Sequence, residues 1–423
     1  MLYASRVFSP DDNWVVYDIR NDQTHIARTC CLEKVNIHTG EVVKLYSAPN
    51  QTQDGPGVGA PTWHPTKNQI IFIHGLMNCD QEKPYGFTRR FGALLDEDKG
   101  ATIIAADARS IEPPFVAGAL RGGTHAHSWS GDGEWISFTY NDFILEKLEK
   151  ETNGRVKDLR TIGVMSPARP VTVPKEDAEN FSGQYFSVVA ATVTESPVPG
   201  SDEIEKAFDE CWVGDNGYLK PDGTRQKRAI AFQGVVRTEK NIPVTEVFIA
   251  DIPEDVTVPS GEPLEGTTAT RPAVPKGLIQ RRITFTEDRK YPGIQGPRFW
   301  LRTSPDGSVV YFLMKDDNEV VQIYSVSVHG GDIRQVTSLD SSVQGQFNVS
   351  PDGKSIALIA DNSIRICDIE KGTSQRLTPP TEGIVSPVVW NNAGDRVVYN
   401  QYVQEGSSSW LQIFTAKVLT PHP

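Results

Sequence analysis

No long apolar run occurs in this chain. Nothing in its 423 residues approaches the roughly 20 consecutive apolar residues that a membrane-crossing helix requires. Cysteine is scarce as well. There are five, Cys30 and Cys31 are adjacent, and none forms a Cys-x-x-Cys pair, which argues against a disulfide framework or a thiolate zinc site. Positive charge is in deficit, with a formal net charge of -12 and a sequence pI of about 5.2. That balance speaks against a phosphate-tracking nucleic-acid binder and against attachment to an anionic membrane. The opening MLYASRVFSPDDNW has no basic segment followed by an apolar core, so no leader is expected in it. The expectation is a reduced, cytoplasmic protein, or a periplasmic one if an upstream leader has been removed. Several catalytic signatures are missing too. No GxSxG elbow occurs, and no GxGxxG or GxxxxGK[ST] loop precedes a helix, which disfavours serine-hydrolase, dinucleotide and nucleotide chemistry.

What the chain does have is a repeat. RVFSPDDNWVVYDIR, PTWHPTKNQIIFIHG, HSWSGDGEWISFTYND, LRTSPDGSVVYFLMKDD, FNVSPDGKSIALIADN and VVWNNAGDRVVYNQY share one plan. Each has a short apolar strand, a polar turn of Pro, Asp and Gly, and a second β-rich strand. Asp and Gly suit a hairpin because they supply local hydrogen bonds and tolerate positive φ. Third and fourth strands follow in most copies, such as VQIYSVSV and GDIRQVTS. The later copies recur at the period of propeller blades, about 40 to 46 residues. A seventh unit in the middle reads YFSVVAATV, RAIAFQGVV, TEVFIADIP and LIQRRITFT. The fold predicted is all-β: one seven-bladed propeller of four-stranded antiparallel blades spanning residues 1–423. The blades fall at about 1–48, 58–108, 122–172, 181–287, 296–338, 343–379 and 384–423. The fourth carries insertions 196–228 and 254–276. The first of these is expected to hold a short acidic helix with Asp202, Glu203, Glu205, Asp209 and Glu210 on a solvated face; the second reads as a surface loop. The outermost strand of the last blade has no evident donor: either Leu419–Pro423 and the first few residues supply it, or an upstream strand is missing from this chain.

The SPDG hairpins resemble the repeats of TolB-type propellers, of an uncharacterised bacterial branch, across nearly the whole chain. Within that group, the stretch Thr124, His125, His127 and Ser128 resembles the metal-binding stretch of oligogalacturonate lyase. That motif is Gln-x-x-His-x-His followed by a Ser-containing strand and a hairpin. The resemblance implies a seven-bladed enzyme that cleaves uronate-containing sugars by β-elimination with a divalent metal. Two departures stand out. Gly122 occupies the glutamine position, and no histidine precedes the inner strand of either flanking blade.

In a propeller, the links entering the innermost strands and the loops between second and third strands share one face. This geometry gathers candidates around one channel mouth. His125 and His127, two apart in a strand and so on one side, are candidate metal ligands with His74 as a third, for manganese, zinc, iron or nickel. His64 in a hairpin turn and His38 and His329 in outer turns are expected to be exposed. The resembling lyase uses an arginine base, for which Arg121, Arg89 and Arg298 are candidates. Arg90, Asn141, Trp300, Arg302, Gln344, Gln346 and Asn348 are candidate substrate contacts, with Trp300 and Trp212 able to stack on sugar rings. Arginines and histidines aimed at one mouth of an acidic protein suit an anionic sugar or another small anionic ligand. Two readings remain open. One is a metal-assisted lyase acting on a uronate-containing oligosaccharide. The other is a non-catalytic propeller binding a protein partner or a small anionic ligand.

Overall fold

The computed structural model describes residues 1–418 apart from Ser5 and Ala101. The chain forms a seven-bladed β-propeller of antiparallel blades. In the fifth blade, Val310, Tyr311, Phe312, Leu313 and Met314 are all buried. Each blade is packed between two others, so its strands hide both faces and read as continuous apolar runs rather than alternating ones. The repeated turn explains itself chemically. In the fifth blade the Ser304 hydroxyl donates to Asp306 at 2.5 Å and accepts the Val309 N–H at 3.1 Å. Ser350 with Asp352, and Ser9 with Asp11, repeat this clasp. The glycine that follows sits at φ 75° in Gly307 and 72° in Gly353, which a side chain would strain.

Tryptophans bolt neighbouring blades together. The indole N–H of Trp129 reaches the carbonyl of Thr62, Trp212 that of Ser128 at 3.0 Å, and Trp390 that of Asn348 at 3.1 Å. Each link runs from one inner strand to the inner strand before it. The first blade's innermost strand is reduced to the bridge between Phe8 and Val15, and the last shows three strands, Ile384–Trp390, Arg396–Glu405 and Ser408–Lys417, among the described residues. Leu419–Pro423, a candidate fourth strand, lie outside those residues. The ring nonetheless closes through side chains. Asn400 accepts the Leu2 N–H at 2.9 Å and donates to the Leu2 and Ser386 carbonyls. Asp12 caps the Asn392 and Ala393 N–H groups at 2.8 and 2.9 Å. Asn400→Ala would strand buried backbone groups of Leu2, so a loss of about 2–4 kcal/mol is expected, read as a lower urea midpoint.

Three sequence expectations are corrected. Phe186–Val189 closes the third blade as its fourth strand instead of opening the next. The inner strand of the fourth blade is Ala207–Trp212, where an acidic helix was expected. A helix does form, at Phe143–Glu151, after the second strand of the third blade. Asp142 caps it, accepting the Ile144 and Leu145 N–H groups, as N-terminal caps do. The cysteines are not all reduced either, since Cys30 and Cys31 are joined in a vicinal disulfide.

Candidate functional site

The histidine strand Gly122–Trp129 is not regular. Its register against Ile136–Asp142 slips by one between His125 and Ser128, and Ala126 takes φ 58°. Equivalent bulges occur in the inner strands of the blades on either side, at Ala60 with φ 53° and Asp209 with φ 51°. An extra residue in a strand re-aims the side chains around it. In this bulge His125 and His127 meet different surroundings, which breaks the alternation expected of them.

His125 lies at the mouth beside Phe87, ring centroids 6.0 Å apart, and both its ring nitrogens are buried without a partner. Burial, and then the guanidiniums of Arg90, Arg160 and Arg298, hold its pKa well below the usual imidazole value. Phe87 is 58% exposed and carries two of those cations on its ring, Arg90 at 4.7 Å and Arg160 at 4.9 Å. Arg298 lies 4.8 Å from the ring of Trp300 and pairs with Asp209 at 2.8 Å. Trp300 packs edge-on against Tyr3, and Arg20 lies 5.3 Å from the Tyr3 ring, matched by Asp18. Arg90 donates to the Tyr85 hydroxyl, yet its Nε and one Nη are buried without partners.

His127 points inward. Its Nε2 is 2.9 Å from the Thr124 hydroxyl, which donates to Asp107 at 3.2 Å. A Cβ on Gly92 would come within 2.9 Å of that nitrogen, so the neighbouring strand needs glycine there. Below the mouth lies a chamber of about 40 Å³ bounded by Tyr3, His127, Glu210, Trp300, Arg302 and Gln346. Burial lowers the His127 pKa to about 3, and burial raises that of Glu210 to about 8. Arg302 separates the chamber from a cavity of about 420 Å³ on the opposite face, lined by Trp212, Trp390 and Asn348. Its Nη1 donates to the Trp300 and Leu301 carbonyls, and burial lowers its pKa to about 10.

Other expected site residues are committed elsewhere. Arg121 is fully buried, paired with Asp142 at 2.7 Å and donating to the Thr267 and Thr270 carbonyls of the second insertion. Arg89 is bound to Glu179 and Asn78, in a network that also takes Arg109. Neither is free to act as a base. His74 is wholly buried, between the Tyr46 hydroxyl and the Gly75 carbonyl. His64 is buried too, bonded to the Gly133 carbonyl against Trp129, whereas His38 and His329 are exposed. Gln344 is exposed and exchanges hydrogen bonds with Asn362. Asn141 binds Asp158 and orients Arg160. Trp212 and Asn348 face the opposite cavity. Arg160, Phe87, Tyr3, Asp107, Asp209 and Glu210 were not foreseen. Aligning the inner strands on their tryptophans would have found two of them, because Glu210 stands two before Trp212 as His127 stands two before Trp129.

The resemblance to the lyase implies a metal, and the residues do not fit one. Among the described residues no three His, Cys, Asp or Glu side chains converge to hold an ion. His74 is sequestered between the first two blades. His125 sits among three guanidiniums, whose field repels a dication.

The fold places the protein among seven-bladed propellers, and comparison with known proteins agrees. A solved oligogalacturonate lyase in complex with manganese superposes over 98% of this chain and 88% of its own, with a TM-score of 0.56 and 8% identity. A TolB from Acinetobacter baumannii matches 96% of this chain and 79% of its own, with a TM-score of 0.40 and 16% identity. The likeness to the lyase shows fold alone. The family described as "Protein of unknown function (DUF3748)" matches residues 57–181. The chain belongs to the family of uncharacterized protein YidR of Escherichia coli (strain K12), with which it is 37% identical over 382 residues, 89% of this chain and 86% of that protein.

Proposed function

We propose that this protein binds a small anionic ligand of the sugar-acid class at the channel mouth. The observation that carries the reading is the excess of cations there. Arg90, Arg160 and Arg298 surround His125, and Asp209 is the carboxylate paired among them. Guanidiniums recognise carboxylates through paired, planar hydrogen bonds, and Arg90 holds two unpartnered nitrogens in reserve. Phe87 and Trp300 add aromatic surface against which a sugar ring can lie. Affinity then comes from charge and stacking together, with no metal needed to hold the carboxylate.

Calorimetric titration with digalacturonate against its neutral counterpart digalactose tests this. Binding of the acid alone is expected, weakening with added salt. Arg90→Ala and Arg298→Ala should each weaken it about 10- to 100-fold, roughly 1.4 kcal/mol per factor of ten. Equal affinity for the neutral sugar, or no change in either variant, would refute the reading.

A further inference from the structure

We propose that the cavity on the face opposite the mouth is a second ligand site, built for a small planar aromatic carboxylate. The residues gathered around His125 do not line it, so the inference stands apart from the sugar-acid reading of the mouth.

The cavity has a volume of about 420 Å³, and Arg6, Arg302, Asp215, Trp129, Trp212 and Trp390 are among the residues that line it. That size falls in the range of roughly 300–1,000 Å³ typical of small-molecule sites. The repeat brings the aromatic rings together. Trp129, Trp212 and Trp390 are each the last residue of an inner strand, so three blades deliver an indole to the same end of the channel.

Charge distinguishes this cavity from a merely water-filled opening. Buried arginines elsewhere in the protein have carboxylates: Arg20 has Asp18, Arg89 and Arg109 share Glu179, and Arg121 has Asp142. Arg90 at the mouth is one exception, and Arg302 is the other. Arg302 is 8% exposed and has no ion pair among the described residues. Its Nη1 is spent on the Trp300 and Leu301 carbonyls, and its Nε is buried with no partner. The ionisable neighbour that acts on it is the Cys211 thiol. Burial pushes that thiol up to about 12, so it stays neutral and supplies no counter-charge. Arg6 likewise makes no side-chain hydrogen bond or ion pair among the described residues. Asp215 is the carboxylate that acts on it, and burial outweighs that attraction and lowers the Arg6 pKa. Two guanidiniums and one carboxylate leave one positive charge unmatched. A buried charge without a counter-ion is costly, and a bound monoanion relieves the cost.

The indoles define the rest of the ligand. Trp212 gives its N–H to the Ser128 carbonyl, Trp390 to that of Asn348 and Trp129 to that of Thr62. With these N–H groups used between blades, the rings offer the cavity carbon surface, which suits a flat apolar body. Guanidiniums hold a carboxylate through paired planar hydrogen bonds, and a single carboxylate matches the single excess charge. A phosphate dianion would exceed it.

Calorimetric titration of the whole protein with β-naphthoate tests the site, beside two controls. β-Naphthamide keeps the rings and loses the charge; cyclohexanecarboxylate keeps the charge and loses the flat ring. β-Naphthoate is expected to bind, and each control to bind about 10-fold more weakly or worse. Arg6→Met and Arg302→Met should each weaken β-naphthoate about 10- to 100-fold, the range for a lost hydrogen bond to a charged group. Arg302 also supports two buried carbonyls, so circular dichroism checks that its variant folds; Arg6 has no hydrogen bond to lose. Arg90→Ala at the mouth should leave β-naphthoate binding unchanged, and Arg6→Met should leave digalacturonate binding unchanged. Failure of β-naphthoate to bind, equal binding of either control, or full affinity in Arg6→Met overturns the proposal. Loss of β-naphthoate binding in Arg90→Ala also overturns it, because the anion would then be held at the mouth.

Discussion

Asp142→Ala is expected to lower the stability of the fold by about 4–6 kcal/mol, through the loss of a buried ion pair and a helix cap. The carboxylate makes five hydrogen bonds at once. Arg121 donates from Nε at 3.1 Å and from Nη2 at 2.7 Å, the Tyr140 hydroxyl donates at 3.0 Å, and the Ile144 and Leu145 N–H groups complete the set. Both side chains of the ion pair are almost wholly buried, 0% and 3% exposed. Breaking a buried pair by removing one partner strands the other charge and costs about 3–5 kcal/mol, and removing the cap adds about 1 kcal/mol. Arg121 also holds the insertion at Thr267 and Thr270, so that loop should become sensitive to protease in the variant. Urea unfolding followed by circular dichroism measures the loss. A change below 1 kcal/mol would mean that the two loop carbonyls suffice to neutralise Arg121. Combining Arg121→Met with Asp142→Ala should recover part of the loss, since an apolar replacement leaves no charge uncompensated.

The fate of Arg121 illustrates what a sequence conveys. Blade topology read it into the link before the inner strand that begins at Gly122, because entry links and turn chemistry are local properties written in Ser, Asp and Gly. Whether its charge is free depends on Asp142 and on a carbonyl 146 residues away, which no local pattern encodes. Arg89 and His74 failed for the same reason: each is spent on a tertiary partner. The fourth blade's inner strand was missed on different grounds. Asp209 and Glu210 read as acidic and exposed, since a strand that faces a polar channel loses the apolar signature of a core strand. Nor does a rule mark Ala126 or Asp209 as left-handed, a conformation uncommon outside glycine. The histidine pair was therefore found by sequence, while its geometry, and its counterpart Glu210, were not.

Glu210→Gln should stabilise the protein by about 3–5 kcal/mol at pH 8 and above. Burial raises the Glu210 pKa to about 8, with the Asp209 carboxylate adding to it and the Thr139 hydrogen bond and Arg298 opposing. The unfolded chain's glutamate ionises near the ordinary value of 4.5. Below that value both states hold the proton and stability is at its full level. Between about 4.5 and 8 only the folded state holds it, so each unit of rising pH costs about 1.4 kcal/mol. Above about 8 the loss is complete, because the carboxylate ionises in the fold as well. Glutamine is neutral throughout and can still accept from Thr139, so the variant's stability should stay level across this window where the wild type's falls. Urea midpoints from pH 5 to 9 give the two curves, and parallel curves would show that Glu210 is ionised in the fold at neutral pH. A native glutamate that weakens its own protein at working pH is retained against a stability cost, and functional sites are where such costs are found.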